Sequence, residues 1–235
     1  MRCIIDGHCD TLSKALDTNT NLNNSKFCFN LDIVKDNVPY IQLMAAYVDP
    51  EYVRGNMEKG GFYRAINILN KFEQEKNNEN IINILNKYDL NRVILENKIG
   101  VILTIENGSA ISGDINNIEK LFKKGVRVMS VTWNEDNDLG CGALTKNDKG
   151  LTKLGIEYIK KMEKINILID ISHSSEKTFW DIIKNTNNTI VATHSCVNSV
   201  CNHPRNLKDR QIIEIAKRKG IIGICFASEF LNEYG

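Results

Sequence analysis

Short apolar runs alternate along this 235-residue chain with longer segments in which apolar residues recur every three or four positions. That rhythm is the pattern of repeated βα units, in which strands are covered on both faces and helices bury one stripe. Seven runs rich in Ile, Val, Leu, Cys or Met read as strands, at 2–8, 41–48, 99–105, 126–132, 165–172, 189–194 and 220–226. Between the second and third strands, the segment from Gly61 to Asn97 reads as two helices, FYRAINILNKFEQEKN and ENIINILNKYDLNRVILEN. GDINNIEKLFKKG ends on Gly125 after a lysine pair, which suits a helix carboxyl terminus. LTKLGIEYIKKMEKI and SEKTFWDIIKNT precede strands five and six, and LKDRQIIEIAKRKG leads into the seventh. Residues 49–60 and 134–150 read as long surface loops, the second following the fourth strand and so placed on the functional face.

Composition narrows the function classes. With 42% apolar residues the chain can bury one substantial core, and no linker clearly divides it, so it is expected to be one domain over 1–235. Lys and Arg number 30 against 29 Asp and Glu, with no basic run, so nothing points to nucleic acid or an anionic membrane surface. No apolar stretch approaches the ~20 residues of a membrane span. Seven cysteines at 3, 9, 28, 141, 196, 201 and 225, without a CxxC pair, argue against a disulfide framework and a zinc ribbon. Reduced thiols and the lack of a leader-like segment after Met1 predict a cytoplasmic protein.

The chemistry sits where the apolar runs stop. His8 and Asp10 close CIIDGHCD, Glu106 closes GVILTIEN, His173 closes NILIDISH and His194 closes TIVATHSC. A parallel barrel presents its chemistry at the carboxyl ends of its strands, so these residues can converge although far apart in sequence. His8 and Asp10 are two apart, which on an extended strand end points both side chains the same way. A carboxylate such as Glu106 beside a buried strand costs several kcal/mol unless a cation or hydrogen bonds answer it. Its two oxygens suit it to bridge two metal ions ~3.5–4 Å apart. His173 and His194, from adjacent strands, suit a second metal ion.

Each of these residues alone has a plainer reading, as a hydrogen-bonded strand end or a turn anchor. Their joint appearance at four strand termini is what favours a metallohydrolase site. Asp170, three before His173, has the opposite strand parity and is expected to face the helices or cap a neighbour. His203 lies mid-loop before a proline and is left out of the metal set. Arg205 in HPRNLKD offers a planar fork suited to a carboxylate, although spacing alone also fits a surface arginine in a turn. Cys196 near His194 and Cys9 beside His8 lack a cysteine-protease signature, and no G-x-S-x-G elbow supports a serine triad.

The order DGHCDTL, LTIENG, GVRVMSVTWNEDNDLG, LIDISHSS and ATHSCVNSVCNHPRNLKD resembles the membrane dipeptidase, or renal dipeptidase, family of zinc peptidases over nearly the whole chain. The resemblance implies a TIM-like (β/α) barrel with two zinc ions, His8 and Asp10 on the first, His173 and His194 on the second, and Glu106 between them. It implies that a metal-bridging water or hydroxide attacks the scissile carbonyl of a dipeptide. It also implies that Arg205 binds the terminal carboxylate, and that the protein forms a homodimer. Where mammalian relatives carry a histidine after the fourth strand, this sequence has Trp133. Oxyanion stabilisation would then fall to metal, Trp133 or Asn134, with Trp133 otherwise a rim residue shaping the pocket.

The family's eighth strand, with a GSDFDG-like motif, has no match among these residues. The expected architecture is therefore an α/β barrel of seven strands, incomplete at its C-terminal end. Two further readings stay open beside a dizinc dipeptidase: a noncatalytic metal- or peptide-binding remnant, and an amidohydrolase acting on another small amide.

Overall fold

In the computed structural model of the chain, which describes residues 3–23, 26–34, 39–51, 60–76 and 79–232, the apolar runs pair as parallel strands. These are β1 (Ile4–Cys9), β2 (Tyr40–Tyr47), β3 (Ile81–Asn83), β4 (Ile99–Glu106), β5 (Val126–Ser130), β6 (Leu168–Asp170), β7 (Ile190–Ser195) and β8 (Ile222–Ile224). Seven of them follow one another in the order β1-β2-β4-β5-β6-β7-β8, curling into a nearly closed TIM-like barrel with helices between the strands. The path ends at β1 and β8, which do not pair with each other among the described residues. Of the loop expected at 49–60, residues 52–59 lie outside the described residues.

One expectation is corrected. ENIINILNKYDLNRVILEN is not a single helix but holds β3, which runs parallel to the lower half of β4 with Ile81 opposite Ile99. The β-branched pair Ile81 and Ile82 is buried there, and a new helix starts only at Lys87. Asn86 starts it: its side chain accepts from the Tyr88 and Asp89 N–H groups while Asp89 accepts from the Asn86 N–H. Such a reciprocal cap marks a helix beginning in the middle of what periodicity alone makes continuous.

Helices α1 (Thr11–Asp17), α2 (Leu31–Val34), α3 (Gly60–Glu75), α4 (Lys87–Leu95), α5 (Asn117–Lys123), α6 (Lys153–Lys164), α7 (Glu176–Asn185), α8 (Asp209–Lys217) and α9 (Ser228–Leu231), with a short 3-10 helix at Gly108–Ile111, complete the described elements. The amphipathic ones bury one stripe each, such as Ala65, Ile68, Leu69 and Phe72 of α3 and Tyr158, Ile159 and Met162 of α6. These stripes join Met44, Leu103, Ile105, Met129 and Ile169 from the strands in one core. Tyr158 is fully buried and donates its hydroxyl hydrogen to the Ser130 carbonyl at 2.9 Å, so its polar end is satisfied where β5 stops. Gly125 does end the helix before β5, with φ of 100°, a backbone conformation that costs glycine least.

Register delivers the strand ends to one rim. β2 and β4 pair without a break from Tyr40 opposite Ile99 to Tyr47 opposite Glu106. Immediately after Glu106, Asn107 turns the chain with φ of 77° and ties three neighbours together. Its Nδ2 donates to the Val48 carbonyl at 2.8 Å, and its Oδ1 accepts from Asn137 Nδ2 at 2.9 Å and from the Ser109 N–H at 3.2 Å. Asn107→Ala removes three largely buried hydrogen bonds and a side chain suited to positive φ, so we expect a loss of about 2–3 kcal/mol. A urea unfolding curve would measure it, and a midpoint equal to that of the wild type would show that Asn107 is not an anchor.

At the unpaired ends of the sheet, Gly7 in β1 and Gly223 in β8 both lie against the Thr193 carbonyl of β7, where a Cβ on either would overlap it. Outside this close approach runs a cavity of about 600 Å³ lined by Ile4, Ile5, Ile224 and Phe226, with His8 and His194 at its inner wall.

Candidate metal centre

All five strand-end residues meet at the carboxyl rim. Glu106 is buried at the centre and its two oxygens face different partners. Oε1 lies 2.8 Å from His173 Nε2 and 3.7 Å from His194 Nε2, whereas Oε2 lies 3.6 Å from His8 Nε2. Asp10 Oδ1 is 3.6 Å from the same His8 nitrogen. Ligand atoms of His8, Glu106 and His194 all fall within 4.8 Å of one another. His173 and Asp10 extend this trio on opposite sides through those contacts.

The residues fit a divalent cation. Asp10 Oδ1 is buried without a hydrogen-bond partner, an expensive condition for a carboxylate oxygen unless something positive faces it. The Nε2 atoms of His173 and His194 face each other at 2.8 Å. His173 Nδ1 is 2.9 Å from Asn134 Oδ1, an acceptor, so the ring proton sits on Nδ1 and the Nε2 lone pair points inward. Imidazole nitrogens and carboxylate oxygens together are the donor set of zinc sites. Calcium and magnesium favour all-oxygen shells instead.

The electrostatics agree with this. Burial pushes the Glu106 carboxyl up, partly offset by the nearby His8. Burial works against a charge on His8 too, but the neighbouring Asp10 and Glu106 carboxylates prevail and raise it to about 9. His173 and His194 are held well below the ordinary histidine range, first by burial and then by the positive groups Arg205 and His8 respectively. Neutral imidazoles can coordinate at once, and a cation would displace the proton from His8, so metal affinity rises with pH.

Arg205 reaches the same rim rather than a surface turn. It is 4% exposed, with Nη2 at 3.0 Å from His173 Nε2 and with Nε and Nη1 lacking hydrogen-bond partners. Burial lowers its pKa to about 10, which leaves it charged. Its guanidinium lies over the Phe230 ring of α9, 5.4 Å from the centroid, and it borders a cavity of about 460 Å³. His203 stays out of the cluster, as expected: its Nδ1 accepts from the Arg205 N–H at 3.2 Å and its ring lies 4.6 Å from that of Phe230.

Trp133 packs against the His173 ring at 6.1 Å and against Tyr47 at 5.6 Å, forming a wall of the site. Asn134, expected at the substrate, commits its Oδ1 to His173 and leaves only Nδ2 for other partners. Of the two expectations for Asp170 the second holds: it is buried facing β7 instead of the helices and caps its neighbours, accepting from the Ser172 and Thr193 N–H groups. It does not face the helices because β6 stops at Asp170, so the residues from there to His173 form a turn and do not alternate.

A parallel barrel carrying histidine and carboxylate ligands at its strand ends is the architecture of metal-dependent hydrolases. The chain matches the membrane dipeptidase family, peptidase family M19, over residues 2–234, and it belongs to that family.

Among its relatives, an uncharacterized protein in the pqqA 5′ region of Klebsiella pneumoniae is 31% identical over 157 residues, which is 64% of this chain and 58% of that one. Another, in the PQQ-III 3′ region of Acinetobacter calcoaceticus, is 32% identical over 146 residues, 60% of this chain and 46% of that one. The chain thus spans about half the length of these relatives. A metallopeptidase from Rhodobacter sphaeroides, solved with a phosphinate mimic of the dipeptide L-Ala-D-Ala, superimposes with a TM-score of 0.84 at 21% identity. That match covers 98% of this chain and 75% of the other. The metallopeptidase dipeptidase AC, of family M19, gives 0.85 at 21% identity, covering 98% and 74%. These likenesses establish the barrel fold. No helix among the described residues is long and apolar enough to cross a membrane.

Proposed function

We propose that the chain is a two-metal dipeptidase with zinc as its metal, His8 and Asp10 holding one ion, His173 and His194 the other, and Glu106 shared between them. The observation that carries this reading is the split of the Glu106 carboxylate, one oxygen toward His8 and the other toward His173 and His194. Family membership and the donor set support it. When bound, such ions polarise a carbonyl and lower the pKa of a water toward ~7, which makes a nucleophile at neutral pH.

The chain's own residues supply position. Arg205 pairs its free guanidinium edge with the carboxylate of the substrate, which sets the distance from that carboxylate to the scissile bond and favours dipeptides over longer peptides. Trp133 and Tyr47 form an aromatic wall that excludes water from one side, and Asn134 keeps the His173 ring in its ligating orientation. The Rhodobacter relative's bound phosphinate mimic makes L-Ala-D-Ala a suitable first substrate to test.

The test combines metal analysis with hydrolysis of L-Ala-D-Ala and L-Ala-L-Ala. Chelator dialysis should abolish turnover and zinc should restore it. Two ions per chain without turnover of either dipeptide would instead identify a noncatalytic binding protein.

A further inference from the structure

Beneath the ligands, between the ends of β6 and β7, lies a closed set of hydrogen bonds that the metal-holding residues do not account for. Asp170 is 6% exposed and its carboxylate collects four donors. Oδ1 accepts from the Ser172 N–H at 3.0 Å, the Ser172 hydroxyl at 2.6 Å and the Thr193 N–H at 3.1 Å. Oδ2 accepts from the Thr193 hydroxyl at 2.5 Å. The Ser172 oxygen in turn accepts from the His194 N–H at 3.1 Å, and Thr193 Oγ1 lies 2.8 Å from His194 Nδ1.

Counting protons orients the set. A carboxylate only accepts, and each hydroxyl has one hydrogen to give. Thr193 gives its hydrogen to Asp170, so toward His194 it can only accept, and the proton between Thr193 Oγ1 and His194 Nδ1 must belong to the imidazole. The His194 Nε2 lone pair is then left facing Glu106 and His173. We propose that Asp170 is a positioning residue for the metal centre, acting through the Thr193 hydroxyl to hold His194 as the Nδ1–H tautomer with Nε2 free to bind a metal ion.

This inference rests on His194 being a metal ligand, so its test separates the two claims. The arrangement is a carboxylate–histidine–metal triad lengthened by one hydroxyl, and outer partners of this kind change metal affinity by about 10–100-fold. Asp170→Asn presents an amide that can donate to Thr193 Oγ1. The threonine hydrogen is then released toward Nδ1, which favours the tautomer protonated at Nε2 and blocks coordination. Thr193→Val removes the hydroxyl at nearly constant shape, while Thr193→Ser keeps it.

The direct readout needs no variant. In 15N-histidine-labelled chain stripped of metal, two-bond nitrogen–proton spectra distinguish protonated from unprotonated ring nitrogens, and with four histidines His194 is identified by comparison with His194→Ala. We expect His194 protonated at Nδ1 in the wild type and at Nε2 in Asp170→Asn. In zinc competition against a chromophoric chelator, Asp170→Asn and Thr193→Val should bind one ion about 10–100-fold more weakly, and Thr193→Ser should match the wild type.

Nε2 protonation in the wild type overturns the proposal even if every variant fails to fold, as does unchanged zinc affinity in Thr193→Val. If His194→Ala leaves zinc binding unaltered, the assignment of His194 as a ligand is what fails.

Discussion

Replacing Glu106 with glutamine is expected to remove at least one metal ion per chain and to lower kcat/KM for a dipeptide by about a thousandfold or more. The amide offers one oxygen where the proposed bridge needs two, and its NH2 turns a donor toward imidazole nitrogens that would face a cation. It also deletes the negative charge on which two cations in one site depend. Lewis-acid stabilisation is worth several kcal/mol, and ~4 kcal/mol corresponds to ~10³ in rate.

The fold should survive, because a neutral amide is easier to bury than a carboxylate whose pKa burial already raises. Elemental analysis, steady-state hydrolysis and a thermal melt of the metal-free protein measure the three quantities. Two ions and near wild-type turnover in Glu106→Gln would remove the bridge from the mechanism.

The second large effect is expected at Arg205. Arg205→Ala should lower kcat/KM for dipeptides by about a hundredfold, since losing one partner of a buried charge pair costs ~2–5 kcal/mol. It should leave hydrolysis of the corresponding dipeptide amide nearly unchanged, because that substrate has no carboxylate to clamp. Lysine should not restore the lost activity, as a point charge does not reproduce the planar fork that carries the unpartnered Nε and Nη1.

Arg205 also touches His173, so metal content must be measured alongside. An equal fall on both substrates at full metal occupancy would refute the clamp and favour an amidohydrolase of another small amide.

The barrel was legible because each main strand is a self-contained apolar run. The cluster of proposed ligands was legible because each member stands where such a run stops. Short apolar runs inside a helical rhythm are ambiguous, and Ile81–Asn83 was absorbed into a helix for that reason. The support of the ligands was less visible. Asn107, Asn134, Asp170 and Thr193 act across strands or from loops, so their partners depend on register and loop course, which spacing along the chain does not encode. Arg205 occupied the middle ground: its chemistry was evident, but its burial beside His173 required the 196–206 segment to fold back over the rim.

Among the described residues, the strands that carry the proposed ligands differ in how many neighbours they pair with. Glu106 leaves a strand flanked by β2 on one side and by β3 and β5 on the other, and His194 leaves one flanked by β6 and β8. His8 leaves β1, which among the described residues pairs with β2 alone. Among the described residues, releasing His8 by local opening breaks one ladder, whereas releasing Glu106 or His194 breaks two, and subglobal opening costs least where fewest contacts must be given up. Among the described residues, then, the side of the proposed centre that carries His8 and Asp10 is held by fewer strand ladders than the side that carries Glu106 and His194.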